Sequence, residues 1–190
     1  MKHKKRPKEL LRSVTSNYLS PSGETLLHFA ARENNVRETL YYITRGAPIN
    51  YRNDSGETPL YYCSYNDAVD AAIVLLENGA NPSIPNGLGF TAFTQCVYDK
   101  AYRTLRAIAS QYAPTQRDGY RLTPLHHAYL VEDETAIRIL TEASARKGFW
   151  HRTNSEPVWN NPNFIEISNR QTFVGQRLAL DKQSLKEAFK

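Results

Sequence analysis

The sequence is poor in the residues that hold small secreted or metal-dependent domains together. Its 190 residues contain two cysteines, with no paired His or Cys spacing beside them. This composition excludes a disulfide framework and a structural zinc site. No apolar run approaches the roughly 20 residues that a membrane-spanning helix needs. The N-terminus also lacks the apolar core of a secretory signal, so we expect a soluble protein that is not secreted by that route.

Catalytic motifs are missing as well. There is no glycine-rich phosphate loop, and no pair of carboxylates stands apart from ordinary solvated helix faces. Three histidines and two cysteines are the remaining candidates for a base or a nucleophile: His28, His126, His127, Cys63 and Cys96. A buried thiol without a basic neighbour is unreactive. We therefore predict no enzyme, no cofactor and no metal.

The net charge of +5 is confined to the N-terminus. Residues 1–12 hold six basic side chains and one acidic side chain, whereas the rest of the chain is balanced. This basic arm has three readings: a solvated tail, a nuclear import signal, or a contact for nucleic acid or anionic lipid. We expect a cytoplasmic or nuclear protein, in a host cell if it is a secreted effector.

One short motif recurs along the chain. Gly56-Glu57-Thr58-Pro59-Leu60-Tyr61 has counterparts that begin at Gly23, Gly89 and Arg121. The first three stretches follow one another at equal intervals, and the fourth comes one residue early. A period of about 33 residues is typical of a solenoid, in which each repeat is one supersecondary unit stacked on its neighbours.

Each repeat predicts a pair of helices. The first is short, begins after Thr and tolerates Pro in its first turn: 26–33, 59–66, 92–99 and 124–131. The second is longer and carries an aliphatic face, with Leu40 among its expected core residues. Gly46 and Gly79 should end this helix in the left-handed conformation.

Several motif elements carry a family resemblance. They are Gly56-Glu57-Thr58-Pro59-Leu60, Thr123-Pro124-Leu125-His126-His127-Ala128, Leu75-Leu76-Glu77-Asn78-Gly79-Ala80-Asn81 and Arg45-Gly46-Ala47-Pro48-Ile49-Asn50. Residues 20–148 resemble ankyrin repeats. The resemblance implies an all-α solenoid of stacked helix–turn–helix repeats with β-hairpin-like fingers, used as a protein-binding scaffold without catalysis. It also implies that His28 and His126 hydrogen-bond the backbone to hold adjacent repeats together.

The repeat register divides the chain into four parts. We expect a disordered basic arm (1–6), an N-terminal capping half-repeat (7–22), four ankyrin repeats (23–148), and a degenerate repeat that forms a C-terminal cap (149–190). Repeat three has Thr94 at the histidine position and is one residue short. Repeat four has Arg121 in place of the glycine, which should distort the turn or bring Gly119 into use.

The two cysteines occupy the same place in successive repeats. Cys63 and Cys96 are separated by one repeat period, on neighbouring first helices. Stacked helices lie about 8–10 Å apart, whereas a disulfide needs α-carbons within about 7 Å. We therefore predict two free, buried thiols.

The positions that the repeat leaves variable are the candidates for binding a partner. They lie on the fingers and first helices and become more apolar in repeats three and four, where Leu122 is also expected at the surface. The candidates are Arg52, Asp54, Glu57, Tyr65, Asn66, Leu88, Phe90, Tyr98, Asp99, Arg117, Tyr120, Leu130 and Val131. The alternative is that some of these residues are core.

We expect a monomer that binds another protein, compatible with a pathogen effector or a regulator. The alternative is a module that binds nucleic acid or an anionic membrane through residues 1–12.

Overall fold

The structure, a computed structural model, describes residues 18–146. The predicted arm (1–6), most of the predicted capping half-repeat (7–17) and the predicted C-terminal cap (149–190) lie outside these residues. The described part contains eight helices and no strands: α1 (Leu26–Arg32), α2 (Val36–Thr44), α3 (Pro59–Tyr65), α4 (Val69–Glu77), α5 (Ala92–Tyr98), α6 (Tyr102–Gln111), α7 (Pro124–Leu130) and α8 (Glu134–Arg146).

The helices form four pairs that stack in one direction. The inner helices α1, α3, α5 and α7 pack in sequence, and the outer helices α2, α4, α6 and α8 form a second row against them. The fold is therefore the all-α repeat solenoid that the period of the motif predicts. No helix of residues 18–146 has the length and apolar character to span a bilayer.

The inner helices are short because their ends are specified locally. Thr58 caps α3 by accepting a hydrogen bond from the Tyr61 amide at 3.2 Å, and Pro59 occupies the first turn, where its missing N–H costs nothing. Each inner helix ends one residue before the predicted position. Gly46 and Gly79 adopt φ values of +81° and +93° after the outer helices, as predicted.

The turn before α7 differs from the expectation for Arg121. Its φ is +63°, close to the +74°, +78° and +93° of Gly23, Gly56 and Gly89 at the equivalent positions. The prediction of a distorted turn is wrong, because an exposed arginine takes up the left-handed conformation itself. That conformation costs a residue with a Cβ about 1–2 kcal/mol.

Successive fingers are joined backbone to backbone. The amides of Asp54, Gly87 and Gly119 donate to carbonyl oxygens of the preceding finger at 3.1, 2.7 and 2.8 Å. A Cβ on Gly119 would lie 2.7 Å from the Cα of Gly89, so Gly119 permits the close approach of fingers three and four. This is a use for Gly119 other than the turn predicted for it.

The core lies between the two rows of helices. Both cysteines are buried and unpaired, as predicted, and both are 0% exposed. The expectation for Leu40 is wrong, because it is 41% exposed while Thr39 and Tyr42 are the buried residues of α2. Residues two apart on a helix point to nearly opposite sides, so the burial of Tyr42 leaves Leu40 on the outer face.

Candidate functional site

The structure divides the thirteen candidate residues into three groups. Seven are exposed: Arg52, Asp54, Tyr65, Asn66, Leu88, Asp99 and Arg117. Five are half-buried: Glu57, Phe90, Tyr98, Tyr120 and Val131. The remaining one, Leu130, is buried. Leu88 at the tip of finger three is the most exposed large apolar side chain among the described residues, at 69%.

Two of the expected surface leucines belong to the core. Leu130 is 2% exposed at the end of α7, which packs on both α5 and α8, and Leu122 is 0% exposed. The prediction that they face a partner is therefore wrong. A leucine has no polar end that needs water or a hydrogen-bond partner, so the stack can bury it completely at the position that Arg32 and Tyr65 occupy in repeats one and two.

The polar candidates are already hydrogen-bonded within the protein. Glu57 accepts from the Tyr65 hydroxyl at 2.9 Å, and Asp99 accepts from Ser64 at 3.1 Å. The side-chain amide of Asn66 donates to the carbonyl oxygen of Arg32 at 2.9 Å. These groups support the stacking of the inner helices, so removing them would change stability as well as any contact with a partner.

Two arginines of the fingers also stabilise the structure, through hydrogen bonds to backbone carbonyl oxygens. Arg52 donates to the carbonyl oxygens of Gly56 and Pro85, both at 3.1 Å, and so joins fingers two and three. Arg117 donates to the carbonyl oxygen of Arg121 at 3.1 Å, at the equivalent place in finger four. Asp54 is the exposed candidate of finger two whose side chain makes no hydrogen bond to the described residues.

An aromatic cluster joins fingers three and four to the inner helices. The ring of Phe90 lies 5.3 Å from that of Tyr120 and 5.5 Å from that of Tyr98, measured between centroids. It also meets the imidazole of His127 edge-on at 5.8 Å. We call the outer part of this region the finger patch, formed by Leu88, Phe90 and Tyr120. The rings of the patch are rigidly held by packing from beneath.

Beneath the finger patch lies a buried polar network. The Nε2 of His127 is 2.6 Å from a carboxylate oxygen of Asp118, and both side chains are 0% exposed. The hydroxyl of Tyr98 is 2.7 Å from Nδ1 of the same imidazole. In the neutral ring, Nε2–H donates to Asp118 and Nδ1 accepts from Tyr98. The other carboxylate oxygen accepts the amides of Tyr120 and Leu122, so the network holds finger four.

The register of helices and fingers also matches a known family. The family model described as ankyrin repeats (3 copies) matches residues 4–86. The repeats are ankyrin repeats. A comparison with curated proteins gave no match. Ankyrin repeats are generally protein–protein interaction modules, and the family is typically non-catalytic.

Asp118 was not among the candidate residues, although the ankyrin register indicates its position. It is equivalent to Asn53, whose side chain accepts the Glu57 amide and donates to the Tyr62 hydroxyl at 3.0 Å. Tyr62 is in turn the equivalent of His127. The sequence signal was present, since a polar residue stands at this finger position in every repeat: Ser20, Asn53, Asn86 and Asp118.

The motif histidines of the ankyrin stack have structural roles. Nδ1 of His28 accepts from the Thr25 amide at 3.1 Å, and Nε2 donates to the carbonyl oxygen of Glu57 in the next repeat at 3.1 Å. His126 accepts from the Thr123 amide in the same way. Burial lowers the pKa of both imidazoles, that of His126 to about 4. His28 thus joins adjacent repeats, as the resemblance implied, whereas the hydrogen bonds of His126 among the described residues lie within its own repeat.

Nothing in the described ankyrin core is activated as a nucleophile. Burial raises the pKa of the Tyr98 hydroxyl, and burial likewise raises the pKa of the Cys63 and Cys96 thiols. Each group is therefore held in its protonated form, which is the unreactive one. Among the described residues, no three His, Cys, Asp or Glu side chains are grouped as metal ligands would be.

Proposed function

We propose that the finger patch (Leu88, Phe90 and Tyr120), together with the ring of Tyr65, is the surface through which this ankyrin stack binds a protein partner. The observation that carries the proposal is the 69% exposure of Leu88 beside the half-buried rings of Phe90 and Tyr120. A leucine at a finger tip exposes apolar surface to water, which is unfavourable, and adds nothing to the core. When a partner covers it, the same surface contributes binding free energy.

The patch has two properties of an interface hot spot. The ring of Phe90 is already packed on Tyr98 and His127, and the ring of Tyr120 is packed on Phe90, so little side-chain freedom is lost on binding. Fingers three and four are also joined by the hydrogen bond between Gly119 and Gly89, which keeps Leu88 and Tyr120 in one arrangement. Few residues carry most of the binding free energy in such interfaces, and aromatic side chains are prominent among them.

The chain offers a matched control for this proposal. Leu40 is also an exposed leucine, at 41%, but it lies on outer helix α2 away from the fingers. We expect that Leu88→Asp abolishes capture of the partner by the full chain from a cell lysate, while Leu40→Asp captures as much as the wild type. Loss of about 2 kcal/mol of binding free energy corresponds to roughly a thirtyfold weaker complex.

Stability measurements complete this experiment. Because both leucines are on the surface, neither substitution should lower the melting temperature by more than a few degrees. A Leu88→Asp protein that folds normally and still captures the same partner would refute the proposal. Tyr98 is also one of the candidate binding residues, but substituting it is unsuitable for this test because its hydroxyl contacts buried His127.

Ankyrin repeats are generally protein–protein interaction modules, and we infer the finer role from the surface. A chain of four described helix pairs with an apolar finger patch is suited to blocking or recruiting one partner, as an effector or regulator does. We propose a cytoplasmic or nuclear site of action. Fusion of residues 1–9 to a reporter tests the nuclear import reading, since a reporter that stays cytoplasmic removes it.

A second candidate function rests on the basic arm. Six of the first twelve residues are Lys or Arg, against one Glu, while the remaining chain is neutral overall. Such a segment can bind nucleic acid or an anionic membrane. Salt separates the two candidates: binding through phosphates weakens steeply between about 50 and 200 mM salt, whereas binding through the finger patch should persist.

A further inference from the structure

Polar contacts between repeats recur at the first two junctions of the stack. One type involves the turn between the inner and outer helices. Asn34 accepts a hydrogen bond from the Ala71 amide at 2.9 Å, and Asp67 accepts from the Thr104 amide at 2.8 Å. In both cases a side chain of one repeat caps the outer helix of the next repeat. Helices α4 and α6 begin after alanines, which cannot cap them.

A second type involves the third residue of the inner helix. His28 reaches across the first junction to the Glu57 carbonyl at 3.1 Å. Tyr61, its equivalent in repeat two, donates across the second junction to Gln95 at 2.7 Å. Each of the first two junctions therefore has a bond beside the fingers and a cap at the far end of the helices. Together they join the repeats at both edges of the stack.

The junction between repeats three and four lacks both types. Lys100 occupies the turn position, and an ammonium group has no acceptor with which to cap a helix. Helix α8 is instead capped from within its own repeat, where Asp133 accepts the Ala136 amide at 3.0 Å. The hydroxyl of Thr94 bonds to Thr91 in its own helix start and is too short to cross the junction.

Other hydrogen bonds hold this junction. Among the described residues, the bonds that cross it include Tyr98 to His127 at 2.7 Å, Tyr102 to Asp133 at 2.8 Å, and the Gly119 amide to Gly89 at 2.8 Å. We call Tyr98, His127 and Asp118 the latch. The side chains of His127 and Asp118 are fully buried, so breaking the contact with Tyr98 leaves the Nδ1 atom of His127 buried without its hydrogen-bond partner.

We propose that the junction between repeats three and four is a joint at which the ankyrin stack opens, and that the latch of Tyr98, His127 and Asp118 holds it closed. In a repeat protein, stability is approximately a sum of repeat terms and nearest-neighbour interface terms. A junction that lacks both recurring contacts has a weaker interface term, so the repeats separate most easily there. This inference concerns the stack itself and stands whether or not the finger patch binds a partner.

Opening at this joint has a structural consequence for the fingers. Phe90 and Tyr98 on one side meet Tyr120 and His127 on the other side. Separation of repeat four from repeat three would expose these aromatic rings, which the closed stack covers in part. The joint would thereby control how much of the aromatic cluster a ligand can reach.

Two matched substitutions test the latch in the full chain. Tyr98→Phe and Tyr62→Phe each remove one hydroxyl that bridges two repeats, since Tyr62 donates to Glu24 of repeat one at 2.6 Å. The Tyr62 junction keeps the contacts of His28 and Asn34, whereas the Tyr98 junction has no equivalents. Amide hydrogen exchange in low urea, followed by mass spectrometry, reports the opening of each helix pair separately.

We expect Tyr98→Phe to speed exchange in α7 and α8 about tenfold while leaving α1 to α4 unchanged. Tyr62→Phe should leave the ratio of exchange rates between α7–α8 and α1–α4 as it is in the wild type. Equal acceleration of all helices by Tyr98→Phe, or no acceleration in α7 and α8, would overturn the proposal.

Discussion

Asp67, in the turn of repeat two, caps the outer helix of repeat three. Its two carboxylate oxygens accept the amides of Thr104 at 2.8 Å and Arg103 at 3.3 Å, which are otherwise unpaired donors in the first turn of α6. Asp67 does so from a left-handed conformation, with φ of +47°, which Asp adopts more readily than most residues. One side chain thus couples backbone conformation, helix capping and repeat stacking.

Removing this cap should destabilise the protein. We expect Asp67→Gly to lower the free energy of unfolding by about 1 kcal/mol, the usual loss for a helix cap. Glycine relieves the strain of the positive φ but is freer in the unfolded chain, so these two effects act in opposite directions and the remaining loss reports the cap. Asp67→Asn keeps an acceptor oxygen and should lose much less. Urea denaturation of the three proteins measures the difference, and a Gly variant as stable as the wild type would contradict the role of Asp67.

Gly119 should not tolerate a side chain. A Cβ at this position would lie 2.7 Å from the Cα of Gly89, a distance that only a shift of the backbone can relieve. We expect Gly119→Ala to cost about 1–3 kcal/mol of unfolding free energy, as other overpacking substitutions do. Thermal unfolding followed by circular dichroism checks this, and an unchanged melting temperature would mean that the fingers do not approach so closely.

Arg121 offers the opposite result in the same finger. Because its φ is +63°, replacement by glycine should relieve about 1 kcal/mol of strain, reduced by the greater freedom of glycine in the unfolded chain. We expect Arg121→Gly to match or exceed the wild-type stability in urea. A clear loss of stability would show that contacts of the arginine side chain stabilise the protein by more than the strain of the positive φ destabilises it.

Acid should weaken the stack through His126. Burial lowers the pKa of its imidazole to about 4, below the usual value near 6.5. The unfolded chain therefore binds the proton more readily. The contribution of His126 is complete above about pH 6.5 and is lost as the pH falls toward about 4.

A glutamine substitution isolates this effect. Gln at the third helix position can still bond the Thr123 amide, as in a capping box, but does not titrate. Between pH 6.5 and 4, His126→Gln should lose less stability in urea than the wild type does. Parallel pH dependence of the two proteins would exclude His126 as a source of the acid sensitivity.

The two thiols should be unreactive in the folded protein. Burial raises the pKa of both Cys63 and Cys96, and neither side chain is exposed to solvent. We expect no alkylation by iodoacetamide at neutral pH until urea unfolds the chain, when both react. Mass spectrometry of the intact protein gives the count, and fast labelling without urea would show that the core of repeats two and three opens readily.

Local features of the fold were predictable because neighbouring residues specify them. Thr58 followed by Pro59 starts a helix, and Gly79 ends one, wherever they stand in the stack. Their recurrence at a nearly constant interval then predicted the solenoid. Arg121 shows the limit of this reasoning. The finger requires a positive φ at this position, and this requirement outweighed the preference of an arginine for negative φ.

The candidate surface was predictable only as a set of positions. Tyr65 and Leu130 hold equivalent places at the ends of α3 and α7, yet one is 43% exposed and the other 2% exposed. The repeat register treats them alike. Burial of Leu130 depends on helices that come from other parts of the chain, so no local pattern indicated it.

The repeat period, the helix starts and stops, and the positions at which a partner can be met all follow from residues a few places apart in the chain. Which of those positions face solvent and which support the stack depends on how the repeats pack. His127 is the plainest case: its partner Asp118 lies 9 residues away in the same repeat, whereas Tyr98 lies 29 residues away and reaches the imidazole only because the repeats stack. Contacts between repeats follow from packing, which local sequence preferences do not contain.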